Sequence, residues 1–234
     1  EFGTQQEDDT SLVDFGDEQL NNAIELLGWS GSQAPAVSND YLMVVDANLG
    51  NKSNHSIIRS LTYDVDIQPS GEINGRATVG YDYSAHVAAN DPGVNPEANG
   101  PLDYGNLMQV FVPAGTTLQE TSNISTTPTV VNNETNTEFV TRLFIPYDST
   151  QRFQFSYTTP PIVEALGTYQ HYQLLVQKQP GTPANALSVQ VMLPADAELV
   201  DSSPEPAAYY YLDRPILEFR SDLATDLWID VIYQ

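Results

Sequence analysis

The 234-residue chain has no cysteine, and that one absence removes disulfides, zinc–thiolate sites and thiol nucleophiles together. It is also poor in positive charge. Eight Lys+Arg face 31 Asp+Glu, giving a formal charge of -23, so the mean surface potential repels phosphate backbones and anionic headgroups. Nucleic acid is thereby excluded as a partner. No stretch approaches the roughly 18 consecutive apolar residues of a membrane span, and no basic segment followed by an apolar one opens the chain. Neither an anchor nor a signal peptide is expected within it. The three histidines, His55, His86 and His171, fall in separate segments without ligand spacing, so each reads as a structural or solvated residue.

The chain is nevertheless 41% hydrophobic and 10% aromatic while only 17% charged, its remaining polarity being Ser, Thr, Asn and Gln. That is the composition of a folded, turn-rich β protein rather than an acidic disordered tail. Residues 1–12 read as a tag or disordered acidic lead. One helical period follows, with Leu20, Ile24 and Leu27 at i, i+4 and i+7, Asp14 or Asp17 as the cap and Gly28 as the stop. This predicts a short N-terminal helix, then a linker of small polar residues over 30–40, so that 13–40 is the end of an upstream region.

From Tyr41 the period changes to alternating or continuous apolar runs separated by Pro, Gly and Asn clusters. Strands are predicted over 41–45, 57–67, 73–83, 107–112, 138–145, 151–157, 169–176, 187–193, 216–219 and 227–232, with Gln68-Pro69-Ser70-Gly71 as a hairpin turn. Proline at 113, 146, 160, 194 and 215 ends ladder pairing. Roughly ten strands without a second helix indicate a mainly β fold, an antiparallel β-sandwich of immunoglobulin-like or jelly-roll-like kind over 41–234. Residues 195–234 are a candidate added portion of sheet.

The chemistry tests return little. Gly28-Trp29-Ser30-Gly31-Ser32 imitates a nucleophile elbow but lacks the final glycine and the following helix. Asp46-Ala47-Asn48-Leu49-Gly50-Asn51 imitates half an EF-hand loop, with Ile57 where the glutamate belongs. The loop over 88–105 offers Asp91, Asn95, Glu97, Asn99 and Asp103 as hard oxygen ligands for calcium, the alternative being a solvated acidic loop. Calcium is the one candidate ion, and no cofactor is expected. Lys52 and Lys178 are candidate partners in a lysine–asparagine isopeptide bond, which needs burial beside a carboxylic acid; the alternative is two solvated lysines. Tyr81, Tyr83, Tyr209, Tyr210 and Tyr211 could stack on sugar rings if exposed, or pack across strands.

Three stretches carry a resemblance: Leu26-Leu27-Gly28-Trp29-Ser30-Gly31, the run from Asp40 through Asn48-Leu49-Gly50-Asn51-Lys52-Ser53 to Asn54, and the run from Tyr172 through Val176-Gln177-Lys178-Gln179-Pro180 to Gly181. Together they resemble the C-terminal part of the bacterial family catalogued as domain of unknown function four-thousand-twelve. The resemblance implies an extracytoplasmic position at the bacterial cell surface, with a membrane anchor and a larger region upstream. It transfers no catalytic residue.

The reading that follows is a non-enzymatic extracellular module of a bacterial surface protein with a structural, adhesive or assembly role. Its partners would be other surface proteins, copies of itself or cell-wall glycans. A carbohydrate-binding module using exposed tyrosines is the alternative, and an envelope enzyme the third reading.

Overall fold

Along most of the long predicted strands alternate residues are apolar and burial follows that alternation, whereas Asp40–Asn48 and Tyr169–Gln177 carry continuous buried runs. In the run Ile58–Ile67, Leu61, Tyr63, Val65 and Ile67 are buried while Ser60 and Thr62 are exposed. The pattern is that of a sheet with one face on a core and the other in water. The computed structural model describes residues 33–36, 38–49, 56–84 and 102–234. Its elements in chain order are β1 (Asp40–Asn48), β2 (Ile58–Ile67), β3 (Ile73–Tyr83), β4 (Tyr104–Val112), β5 (Thr117–Ser122), β6 (Thr129–Asn132), β7 (Thr137–Ile145) and β8 (Ser149–Thr158), followed by β9 (Glu164–Leu166), β10 (Tyr169–Gln177), β11 (Ala186–Met192), β12 (Leu199–Ser203), β13 (Ala208–Tyr211), β14 (Pro215–Ser221) and β15 (Leu227–Tyr233).

The strands form two sheets in a sandwich-like arrangement. Sheet A has the order β12-β15-β10-β1-β4-β7-β6, with β9 pairing the start of β10; sheet B has the order β13-β14-β11-β2-β3-β8-β5. Inward side chains of both sheets, among them Leu42, Val65, Val79, Val110, Phe139, Phe155, Leu174 and Val189, make one continuous core. Burial of such side chains is the main favourable term in the fold.

Two expectations need correction. The sheets are mixed rather than antiparallel, because β1 runs parallel to β10 and β2 parallel to β11. Each parallel pair joins an early part of the chain, β1–β8, to a late part, β9–β15, so the molecule has one seam in each sheet. The described strands also number 15 rather than ten. All ten predicted strands are present, and the five additional ones, β5, β6, β9, β12 and β13, are short segments at sheet edges. The predicted N-terminal helix lies outside the described residues.

The predicted turn after β2 is present, closed by Gln68 N–H to Glu72 O at 2.9 Å and Gly71 N–H to Gln68 O at 2.9 Å. Residues 33–36, read as linker, lie against the outer face of sheet A. Ala36 donates to Thr135 O and accepts from Ala114 N–H, and it is buried with Tyr41, Met43, Phe111 and Leu175. Residues 195–234 do not form a layer of their own, since β12 and β15 extend sheet A while β13 and β14 extend sheet B.

Strand direction fixes what each end of the sandwich carries. β1 begins and β15 finishes at one end; β1, β3, β7, β10 and β14 finish, and β2, β4, β8, β11 and β15 begin, at the other.

Candidate functional site

The connection-bearing end is held by a buried ionic cluster. Even-numbered residues of β1 face the core, and the alternation that buries Leu42 and Val44 also turns Asp46 inward. Arg59 of β2 meets it across the sheets, Nη1 to Oδ2 at 2.9 Å, with the two side chains only 11% and 9% exposed. Tyr81 Oη of β3 and Asn106 Nδ2 of β4 each donate to Asp46 Oδ1 at 2.6 Å. Arg59 Nη1 also donates to Val44 O, and its Nε reaches Asn185 Oδ1 at 3.4 Å. Gln179 brackets the Asp46 backbone, its Oε1 accepting from Asp46 N–H and its Nε2 donating to Asp46 O, both at 3.0 Å. The buried pair is compensated by surrounding donors and acceptors, the condition under which burial of charge is tolerated.

A second buried carboxylate, Asp40, lies near the opposite end of β1. Tyr63 Oη of β2 and Tyr172 Oη of β10 donate to its Oδ2 at 2.8 and 2.6 Å, and Tyr41 N–H donates to Oδ1 at 2.8 Å. Burial pushes its pKa up to about 6, against the lowering effect of those three hydrogen bonds. Tyr157 of β8 stacks on Tyr63 with ring centroids 6.2 Å apart, and its buried hydroxyl, beside that of Tyr63, makes no hydrogen bond of ordinary geometry among the described residues. Gly75 of β3 makes this packing possible, since a Cβ there would stand 2.5 Å from the Tyr157 ring and 3.0 Å from Tyr63 Oη.

Two of the stretches that carry the family resemblance meet at the seam. Asp40 to Met43 pair in register with Leu174 to Gln177, and the Gln179 bonds to Asp46 continue the contact past the end of β10. The third stretch lies outside the described residues.

The predicted site residues do not converge. Tyr81 and Tyr83 are corrected: both are wholly buried, Tyr81 against Phe153 and Tyr104, so neither can stack on a ligand in solution. Odd positions of β3 face the core, which is why the two residues go in together. Tyr210 turns the other way from its neighbours and accepts a hydrogen bond from Gln190 Nε2, whereas Tyr209 and Tyr211 are 51% and 61% exposed. Lys178 Nζ donates to Thr182 O and Gln179 O at 2.6 and 3.0 Å, and desolvation lowers its pKa. Its ammonium is bonded by these backbone carbonyls and by Thr182 Oγ1, with no asparagine bonded to it among the described residues. Lys52 lies outside them. So do Asp91, Asn95, Glu97 and Asn99, while Asp103 Oδ1 accepts Tyr147 N–H at 3.0 Å in the 146–148 turn.

Sequence reasoning missed Asp40, Arg59, Asn106 and Gln179. A signal existed for part of this: Asp40 and Asp46 share the inward parity of Leu42 and Val44, so both fall on a core face that has no room for an unpaired charge.

No family model and no curated protein matches the sequence. Among solved structures, a protein described as nutrient-binding from Legionella pneumophila superposes with a TM-score of 0.43 at 8% identity, over 85% of this chain and 72% of that one. An M1 zinc metallopeptidase from Deinococcus radiodurans gives 0.40 at 11% identity, over 76% of this chain and 42% of that one. The two-domain M1 zinc metallopeptidase gives 0.41 at 12%, over 79% and 43%. The chain thus spans under half the length of those peptidases, and none of the three is similar enough for its activity to transfer.

Proposed function

We propose that this chain is a non-enzymatic β-sandwich module of a bacterial surface protein, resembling the domain-of-unknown-function family named above, with a structural, adhesive or assembly role outside the cytoplasm. The observation that carries the proposal is the use made of the buried polar groups. Asp46 and Arg59, with Tyr81, Asn106 and Gln179, fasten four strands and the 178–185 connection at one end. Asp40 with Tyr63 and Tyr172 fastens β1, β2 and β10 toward the other. Such a cross-braced body, stiffened without disulfides, suits a module that displays loops from one end of a rigid frame.

Antibody against the chain should label intact cells of the source bacterium, and surface proteolysis should remove the signal. Deleting residues 41–234 from the full protein should then alter attachment or envelope shape. Label that appears only after lysis overturns the reading. The exposure of Tyr209 and Tyr211, beside Leu212 on edge strand β13, favours glycan stacking as a second reading. Calorimetric titration with cell-wall glycans tests it, binding lost in Tyr209→Ala and Tyr211→Ala being the supporting result.

A further inference from the structure

The outer face of sheet B has an unusual cross-section. Its central row runs across the strands as Arg220, Ser188, Thr62, Thr78, Gln154 and Ser122, and the next row as Ala186, Ser60, Gly80 and Arg152. Short side chains occupy the middle strands β2 and β3, and longer ones stand on the flanking strands β8 and β14. The result is a shallow, open trough. Two hollows of about 460 and 480 Å³ lie along it and share Ser60 and Thr62. Gly80 deepens the first, since a Cβ there would stand 2.5 Å from Ser60 Oγ. Asn123, in the left-handed conformation at φ 63°, closes the wall by donating from Nδ2 to Arg152 O at 2.9 Å.

The lining selects for one chemistry. In the first hollow hydroxyls and amides offer both donors and acceptors at close spacing, which matches a polyol, while Ala186 and the edges of Leu61 and Leu187 in the second give its carbon face a surface to lie on. Arg152 has no ion-pair partner among the described residues, whereas Arg76 and Arg220 on the same face are paired with Asp64 and Glu218. Its guanidinium is therefore free to donate to ligand oxygens. An anionic ligand is disfavoured by the overall charge of -23 and by Asp222 beside the second hollow. Strands stand about 4.8 Å apart, so the trough from β11 to β8 is about 14 Å across, the length of a short oligosaccharide.

We infer that this trough is a binding site for a neutral polysaccharide chain, held by hydrogen bonds from the Ser60, Thr62, Thr78, Gln154 and Arg152 side chains. The site is separate from the tyrosines of β13, and the inference rests on the extracellular, adhesive reading above.

Affinity electrophoresis of the chain through gels containing mannan, a β-glucan, dextran or alginate tests it. At least one neutral polysaccharide should retard the protein, and alginate should not. Arg152→Ala and the trough-filling Thr78→Phe should each weaken that retardation about tenfold, and Tyr209→Ala with Tyr211→Ala should leave it unchanged. Thermal melting of each variant separates loss of binding from loss of fold, and backbone amide shifts of the unmutated chain with the retarding glycan should map to β2, β3 and β8. Retardation by alginate alone, retardation unaffected by both trough variants, loss only in the tyrosine variants, or no retardation in any gel each overturns the inference. Surface labelling of intact cells with no retardation defeats the trough alone, whereas labelling only after lysis defeats the surface-module reading.

Discussion

Asp40 and Asp46 lie six residues apart on the same face of β1, both directed into the core, and they are neutralised in opposite ways. Asp46 faces a guanidinium at 2.9 Å and two further donors. Asp40 faces two tyrosine hydroxyls and one backbone N–H, with no lysine or arginine bonded to it among the described residues. A cation supplies the compensation in one case; in the other the carboxyl gains it by holding a proton more tightly. One strand thus carries a brace closed by a cation and a pH-sensitive one closed by tyrosine hydroxyls.

Removing the cation should have the largest effect. Arg59→Met leaves Asp46 buried without its counter-charge, and breaking such a pair costs about 3–5 kcal/mol. Urea unfolding at pH 7 should show that loss, and Asp46→Asn combined with Arg59→Met should recover much of it. A single-variant loss below about 1 kcal/mol, the surface ion-pair range, would mean that the cluster is effectively solvated.

Asp40 should reveal itself through pH. Its folded pKa of about 6 lies above the unfolded value of 3.8, so the folded state binds the proton more strongly. The stabilising contribution is full below pH 3.8 and is lost as pH rises through about 6. The difference corresponds to a few kcal/mol at most, on the order of 2–3. Wild type should therefore lose stability relative to Asp40→Asn between pH 4 and pH 7, a window set by those two values. Parallel stability profiles for the two proteins across that window would remove Asp40 from the account.

Packing around Asp40 is the next point at which to break the comparison. Gly75→Ala places a methyl group 2.5 Å from the Tyr157 ring, and overpacking of this kind costs about 1–3 kcal/mol. Asp46 should be unaffected, so the variant should lower the melting temperature while leaving the salt dependence of unfolding unchanged. An unaltered melting temperature would show that the Tyr157 ring moves freely.

How much of this was legible in the chain follows from burial. The ten strands read from alternating or continuous apolar runs are those with an inward face, such as β3 with Ala77, Val79 and Tyr81. The five that were missed, for example β6 with Thr129–Asn132 exposed throughout, have no buried face to imprint a period. Edge strands also carry the devices that prevent sheet extension, and β5 and β12 are broken by bulges at Leu118/Glu120 and Leu199/Asp201. The parallel seams were invisible because parallel neighbours need not be adjacent in sequence, and β1 and β10 are about 130 residues apart. For the site, parity along β1 placed both aspartates inside, but their partners come from β2, β3, β4 and β10, which no local pattern specifies. The tyrosine expectation failed at Tyr81 and Tyr83 for the same reason: alternation tells which residues share a face, and the topology decides whether that face is core.

The smallest effect separates Tyr157 from the tyrosines that serve Asp40. Tyr63 and Tyr172 spend their hydroxyls on the carboxylate, whereas the Tyr157 hydroxyl is buried beside that of Tyr63 without a hydrogen bond of ordinary geometry. An unsatisfied buried hydroxyl loses its hydration without recompense, and replacing it by hydrogen is near neutral or stabilising, by up to about 1 kcal/mol. Tyr157→Phe should keep the stacked ring and its contact with Phe139, so unfolding at pH 7 should shift by no more than that, toward greater stability. A loss above about 1 kcal/mol would show the hydroxyl to be engaged after all, making Asp40 a carboxylate served by three tyrosines and narrowing its contrast with Asp46.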